Sequence, residues 1–258
     1  IFRVTETNDM SNYSLGTWAV RKTPYRKVAI MASDFVAGRH SAGAFVAAFK
    51  AAGGEVVKEI YPPVNTPDFG PFMAQLAGVG ADAVYAWFAG ADAIRFVKAY
   101  KEYDLAGKLP LMGYNSLVDD VLLPAMGDAA LGIISVGHYN ATLDTPENRA
   151  FVREYEAKYN AWPTRYSEQG YVSAQLVATA LEALKGEAVD RARLRDAIRS
   201  AATKIHPPRG PIQFDRYQQV VTPVYVMRVE RQGPRLVNAI VDRISNVTQE
   251  ETWKWWYK

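Results

Sequence analysis

The sequence predicts an α/β fold, with open parallel sheets and helices on both faces. Three observations carry this reading. Between residues 27 and 137, short apolar runs alternate strictly with helical stretches, which calls for parallel strands joined by helical crossovers. The run at 82–88 gathers Val84, Tyr85, Trp87 and Phe88 without a polar face, as a strand buried on both sides does. Between 146 and 200 the pattern changes to helices with no clear strand among them, and such a cluster normally covers a sheet supplied from elsewhere.

Taken in order, residues 1–5 read as extended. Cap-type residues Asn8, Asp9 and Ser11 precede Tyr13, Leu15, Trp18 and Val20, predicting a helix over 8–22. Residues 28–32 form a strand, 33–38 a loop, and 40–52 an Ala- and Phe-rich helix stopped by Gly53 and Gly54. A second strand at 55–61 ends at Pro62 and Pro63. Asp68 caps a helix through Leu76, stopped by Gly78 and Gly80. The apolar strand at 82–88 follows. It turns at Ala89-Gly90-Ala91 into a helix with Asp92 as N-cap and Ile94, Val97 and Lys101 on one stripe. Residues 109–113 make a fourth strand, 117–126 a short helix and 131–137 a fifth strand.

Helices are then expected at 146–160, with Pro146 in the first turn, at 167–184 and at 189–200. Residues 207–211, Pro-Pro-Arg-Gly-Pro, read as a linker. Strands at 212–214, 222–230 and 235–244 close the pattern, the last two joined by a turn at Gln232-Gly233-Pro234. The aromatic and basic tail, 253–257, is read as packing over a lobe.

Composition narrows the function. Apolar residues make up 49 % of the 258 residues and charged residues 22 %, ordinary for a globular protein. The net charge of +3 is small and its cations are scattered among acids, so nucleic acid is not an expected partner. No apolar run reaches the length needed to span a bilayer, so no direct membrane insertion is expected. Cysteine is absent, which excludes disulfides, thiolate metal sites and cysteine nucleophiles. The chain opens Ile1-Phe2-Arg3-Val4 without Met, in mid-strand fashion, and residue 1 is expected not to be the biological start.

Catalytic signatures do not emerge. His40, His138 and His206 lie far apart without metal-pair spacing and are expected to be structural or superficial. There is no nucleophile elbow and no phosphate loop. Gly78-Val79-Gly80 precedes a strand, the reverse of a dinucleotide turn. Asp119 and Asp120 read as helix-capping residues rather than a catalytic pair. No catalytic residue, metal ligand or cofactor is expected, and the chain is read as not an enzyme. Trp87 and Phe88, at the end of a strand, set large aromatic surface where open parallel sheets bind small molecules.

Several stretches together resemble one family. They are Arg26-Lys-Val-Ala-Ile-Met with Ser33-Asp34-Phe35 and Gly38, Ala51-Ala-Gly-Gly-Glu-Val-Val, Thr66-Pro-Asp-Phe69 and Gly80-Ala-Asp-Ala-Val. Met126-Gly-Asp-Ala-Ala-Leu-Gly, Asp144-Thr-Pro-Glu-Asn and Arg209-Gly-Pro-Ile-Gln-Phe-Asp complete the set. The chain resembles the periplasmic solute-binding proteins of ABC importers, in the Leu/Ile/Val-binding branch. The resemblance implies the two-lobed type 1 periplasmic binding fold. Matched to it, 1–5 resemble the first crossover and 6–138 the second lobe. Residues 139–212 resemble the helical remainder of the first lobe, 213–244 return strands to the second lobe, and 245–258 a tail. The family segment that supplies the first lobe's sheet has no counterpart here.

The resemblance also implies a site. Phe35 sits where the family places a Tyr that packs on the ligand, and Gly90 sits at the place of a second such Tyr. Trp87 and Phe88 supply aromatic bulk nearby. Tyr166 resembles a Tyr of the lobe interface. Asn115, beside Tyr114, falls where amino-acid binders carry a Glu that pairs with the ligand ammonium. Asn cannot supply that charge, and an unpaired buried ammonium costs several kcal/mol. The ligand-binding set is therefore Phe35, Trp87, Phe88, Gly90, Tyr114, Asn115 and Tyr166. The expected ligand is an aromatic carboxylate of the benzoate or phenylpropanoid kind, held in an interlobe cleft. The alternative is a branched-chain amino acid or amide, with Asp34 or Asp92 taking the ammonium. A ligand-sensing receptor ectodomain is more remote. The resemblance further implies a periplasmic or lipid-anchored extracytoplasmic monomer that hands its ligand to an ABC permease.

Overall fold

The protein is described here by a computed structural model, covering residues 1–187, 190–253 and 255. The chain divides into two compact units. One comprises Thr7–Gly137, Tyr225–Arg243 and Glu250–Lys258. The other comprises Ile1–Glu6, His138–Val224 and Ile244–Gln249.

In the larger unit the alternating pattern becomes a sheet. Strands β1 (Lys27–Ala32), β2 (Glu55–Ile60), β3 (Ala83–Trp87), β4 (Leu111–Tyr114) and β5 (Ile134–Gly137) run in the order β2-β1-β3-β4-β5, all parallel. β7 (Val220–Gln232) adds antiparallel to β5 through Tyr225 to Arg228, and β8 (Arg235–Val247) pairs with β7. Every residue of β3 is buried, as an apolar run covered on two sides requires.

The two faces are covered by different helices. α1 (Asn8–Lys22) and α2 (Val36–Ala51) lie on one. There Phe45 stacks on Tyr85 with ring centroids 4.2 Å apart, and the Tyr85 hydroxyl donates to Asn12 Oδ1 at 2.7 Å. α1 and α2 touch closely at Gly16, where a Cβ would lie 2.5 Å from the Phe45 carbonyl oxygen. α3 (Gly70–Leu76) and α4 (Gly90–Glu102) cover the other face. There Phe88 stacks on Phe96 at 4.5 Å and meets Phe69 edge-on at 5.2 Å. Such aromatic pairs contribute about 0.5–1.5 kcal/mol each beyond burial.

Three local readings are corrected. Asp92 is not the N-cap of α4; Ala89 is, without a side-chain bond. Asp92 stands in the first turn instead, accepting from the Asn65 backbone N–H at 2.8 Å and pairing with Arg95. The buried stripe of α4 is Ala93, Phe96, Val97 and Tyr100, and Lys101 is exposed. The helix expected over 117–126 is broken into a 3₁₀ turn at Asn115–Val118, a single α turn α5 (Leu123–Met126) and a second 3₁₀ turn at Gly127–Ala130. Extended backbone at Asp119 (ψ 138°) ends the first piece, and Pro124 starts the next. Asp119 caps the loop between them, its Oδ1 accepting from Val121 N–H at 3.4 Å.

In the smaller unit, α6 (Pro146–Tyr159) starts at Thr145, whose hydroxyl oxygen accepts from Asn148 N–H at 3.1 Å. α7 (Arg165–Ala183) opens with a capping box between Thr164 and Ser167. α8 (Arg191–Ala201) is capped by Asp190, which accepts from Arg193 N–H at 2.8 Å; the expected start at 189 lies outside the described residues. These helices do have strands to cover: β6 (Gln213–Phe214) pairs antiparallel with Val220 and Val221, and Arg3 bridges Gln219. Val172, Leu176, Ala180, Ala201, Ile212, Phe214 and Val220 form the core. These pairings keep 213–224 in this unit, whereas the return strands were expected to leave it at 213. Val177, Leu181 and Leu194 remain exposed, and a groove of about 680 Å³ runs beside Phe2 and Val4.

A short turn of helix, α9 (Gln249–Thr252), precedes the tail. Trp255 packs over Gly43, where a Cβ would lie 2.7 Å from the indole, and its ring centroid is 5.7 Å from that of His40. The tail residues Lys254, Trp256 and Tyr257 lie outside the described residues. Among the described residues no helix is long and apolar enough to cross a membrane.

Candidate functional site at the carboxyl ends of the strands

Parallel strands end together, and in the larger unit the carboxyl ends of β1, β3, β4 and β5 form one edge. The register pairs Ala32 with Trp87, Ala86 with Gly113 and Tyr114 with Val136. Continuing it by one residue sets Tyr114 beside Trp87. Alternation along β3 sends Trp87 to the same face as Tyr85 and Phe88 to the opposite face. Sequence reasoning treated Trp87 and Phe88 as one wall, but the pleat separates them. Phe88 is fully buried between Phe69 and Phe96, while Trp87 stays 8 % exposed at the edge.

Several main-chain groups at this edge are paired. Ser33 N–H donates to the Trp87 carbonyl at 3.1 Å, Asp34 N–H to Pro62 O at 2.7 Å and the Ser116 hydroxyl to Phe88 O at 2.9 Å. Two side-chain atoms are not. Trp87 Nε1 and Asn115 Oδ1 are buried without a hydrogen-bond partner among the described residues. An unpaired buried polar group costs about 1–3 kcal/mol. The Asn115 amide lies over Gly137, where a Cβ would come 2.5 Å from Nδ2.

The charges at this edge are matched. Arg39 Nε donates to Asp34 Oδ1 at 2.6 Å and holds that carboxyl below its ordinary range. The same guanidinium lies 4.1 Å over the Tyr61 ring. The Tyr61 hydroxyl, which donates to Glu59 Oε2 at 2.7 Å, is pushed well above the usual tyrosine range by burial and then by Glu59. Asp92 pairs with Arg95, whose Nε also donates to Thr66 O at 3.0 Å. Phe35, which opens α2, is 52 % exposed. Gly90 is exposed at φ +57° with nothing within 4 Å of an added Cβ. An aromatic there would face no clash but would sit in a strained left-handed conformation.

Tyr166 belongs to the smaller unit, in the first turn of α7, and is 57 % exposed. The Arg165 guanidinium lies 4.5 Å over its ring. Sequence reasoning missed this unit's polar interior. His138 Nδ1 pairs with Glu6, and Gln169 Nε2 donates to Thr5 Oγ1 at 2.8 Å while lying 3.2 Å from His138 Nε2. Arg209, inside the expected linker, is fully buried on Glu168. No sequence signal marks these partners, which meet only through the fold. The bonds of Ser33 and Ser116 were also missed; Ser33 directly follows β1, while Ser116 lies in the 3₁₀ turn after β4. Among the described residues no group of His, Cys, Asp or Glu is arranged to hold a metal ion.

A parallel sheet clad on both faces, with aromatic and unpaired polar groups gathered at its carboxyl edge, is the mixed α/β architecture of the type 1 periplasmic binding fold. The chain belongs to the periplasmic binding protein family, whose sequence model matches residues 1–234. A Leu/Ile/Val-binding protein homolog from Brucella melitensis is 32 % identical over 242 residues, covering 88 % of this chain and 61 % of the relative. The chain thus spans about three fifths of the length of that relative. An ABC transporter substrate-binding protein from Sphaerobacter thermophilus has a solved structure that superposes with a TM-score of 0.90 at 34 % identity, over 95 % of this chain and 67 % of that one. A solute-binding protein of an R. palustris ABC transporter, solved in complex with 4-hydroxybenzoate, gives a TM-score of 0.84 at 31 % identity, over 96 % of this chain and 68 % of that one.

Proposed function

We propose that the chain is part of the extracytoplasmic solute-binding component of an ABC importer, and that it captures an aromatic carboxylate of the benzoate or phenylpropanoid kind. It performs no reaction; it delivers the ligand to a permease. The observation that carries the ligand class is the state of the carboxylates. An α-ammonium needs an acidic partner. Asp34 is paired with Arg39, Asp92 with Arg95, and Asn115 is uncharged. Trp87 and Tyr114 offer aromatic surface at adjacent strand ends, and Phe35 is an exposed ring at the start of α2. Gly90 leaves room, while Phe88 supports the edge from the core. The 4-hydroxybenzoate complex of a protein 31 % identical supports the same class. The Brucella relative favours a second reading, a branched-chain amino acid.

Calorimetry on the complete gene product separates them. Binding of 4-hydroxybenzoate with no heat from leucine is the expected result; tight leucine binding alone overturns it. Trp87→Ala and Asn115→Glu should each weaken binding of the aromatic acid, the second because it buries a carboxylate that the ligand gives no counter-charge. If both variants bind as the unmodified protein does, the site lies elsewhere.

A further inference from the structure

We infer that His138, Gln169 and Thr5 form a proton-operated hydrogen-bond switch where the chain leaves and re-enters the smaller unit. Glu6 is the last residue before the chain passes to the larger unit, and His138 is the first after it returns. Both side chains are fully buried and pair through His138 Nδ1 and Glu6 Oε2. Three segments of the smaller unit meet there: residues 5 and 6, the segment that starts at 138, and α7 through Glu168 and Gln169. The partners fix where the imidazole hydrogen sits. A carboxylate only accepts, so Nδ1, which faces Glu6, carries the hydrogen. His138 Nε2 lies 3.2 Å from Gln169 Nε2, an amide nitrogen that only donates. It therefore presents its lone pair, and the ring is neutral. The same Gln169 nitrogen donates to Thr5 Oγ1 at 2.8 Å, and the Thr5 hydroxyl donates to Glu6 Oε2 at 3.4 Å. The hydrogen bonds thus run one way, from Gln169 through both Thr5 and His138 to Glu6.

A second proton reverses this order. With a hydrogen on His138 Nε2, that ring and the Gln169 amide nitrogen face each other as two donors. Turning the amide over puts Gln169 Oε1 in that place, where it accepts from His138 and from the Thr5 hydroxyl. Thr5 then withdraws its hydrogen from Glu6, and the N-terminal crossing loses one of its ties. Charge does not oppose the proton. Glu6 and Glu168 are two carboxylates, Glu168 Oε2 lies 3.9 Å from His138 Nε2, and Arg209 bonds to Glu168. With His138 charged, two cations face two carboxylates. Histidine is the side chain whose charge changes between about pH 5 and 8, so acidification is the signal such a cluster reads. The switch does not depend on which ligand the protein takes.

The test is nitrogen NMR on the complete gene product labelled at histidine, beside amide hydrogen exchange, both without ligand. At about pH 8 the His138 signals should show a hydrogen on Nδ1 and a bare Nε2. At about pH 5 both nitrogens should carry hydrogen. Exchange at residues 5–7, corrected for the intrinsic effect of pH, should then speed up about fivefold, the effect of one lost hydrogen bond. Gln169→Met removes the amide and should abolish that acid response while His138 still titrates. Gln169→Glu offers only acceptors and should keep the second proton on His138 up to about pH 8. Should one variant fail to fold, the other and the unmodified protein decide. A bare Nδ1 with hydrogen on Nε2 at about pH 8, or a ring already doubly protonated there, overturns the inference. Exchange at 5–7 that answers to acid alike in the unmodified protein and in Gln169→Met overturns it too.

Discussion

Arg209 and Glu168 form a two-pronged ion pair in which neither side chain reaches solvent. Arg209 Nε donates to Glu168 Oε1 at 2.7 Å and Nη2 to Oε2, while Nη1 donates to the Val4 carbonyl at 2.7 Å. One side chain thus ties the segment after α8 to α7 and to the N-terminal segment, all within the smaller unit. Glu6 and His138 pair beside it, and Glu168 Oε2 lies 3.9 Å from His138 Nε2. Removing one member strands a buried charge, which costs about 3–5 kcal/mol. Arg209→Met and Glu168→Gln should each destabilise the protein by that amount in urea denaturation. A loss below about 1 kcal/mol for both would mean that water reaches the pair.

Burial also sets an alkaline limit. The hydroxyls of Tyr85 and Tyr100 are driven above the ordinary tyrosine range, chiefly by desolvation. Tyr85 donates to Asn12 Oδ1, and Tyr100 to Leu109 O at 2.8 Å. The folded chain keeps protons that the unfolded chain releases near about pH 10. Stability is therefore whole below that pH and falls as pH rises through and beyond it. Tyr85→Phe should cost about 1–2 kcal/mol at neutral pH by orphaning Asn12, and should show a shallower alkaline decline than the unmodified protein. Parallel declines in both would remove Tyr85 as a cause.

These two groups show what a sequence exposes and what it hides. Alternation, Gly stops and Pro starts are local, so the parallel strands and their helices were legible from residues 27–137 alone. Tyr85 read correctly as core because its strand is apolar throughout. Arg209 read as a linker residue because Pro-Pro-Arg-Gly-Pro is turn chemistry, and its partner Glu168 stands 41 residues away. Asp92 matched the pattern of a cap, but the chain enters α4 through Gly90 in the left-handed region, which moves the helix start ahead of it. At the site, the aromatic types at 87 and 114 were visible. The pleat that turns Phe88 away, and the unpaired atoms of Trp87 and Asn115, depend on strand register.

Close packing of β3 on β4 gives a steric prediction. A Cβ on Gly113 would lie 2.1 Å from the Ala86 carbonyl oxygen and 3.0 Å from Leu117 Cδ2. The first obstacle is backbone, so the strands themselves would have to part. Gly113→Ala should cost about 2–3 kcal/mol, at the upper end of overpacking changes, read as a drop in the thermal midpoint. An unchanged midpoint would show that β4 can shift along its neighbour.

Gly137 faces a softer obstacle, and the contrast isolates the site from the fold. A Cβ there would meet Asn115 at 2.5 Å from Nδ2, 2.9 Å from Cγ and 3.4 Å from Cβ, all side-chain atoms. A side chain can rotate where a strand cannot, so Gly137→Ala should leave the unfolding free energy within about 1 kcal/mol. The rotation would carry the Asn115 amide away from the edge of β5. Affinity for 4-hydroxybenzoate should then fall about tenfold, because the proposed site loses the Asn115 amide. Calorimetry beside a thermal melt checks both halves. If Gly137→Ala instead destabilises as much as Gly113→Ala, Asn115 is locked in place by the fold and its amide is a structural support of β5.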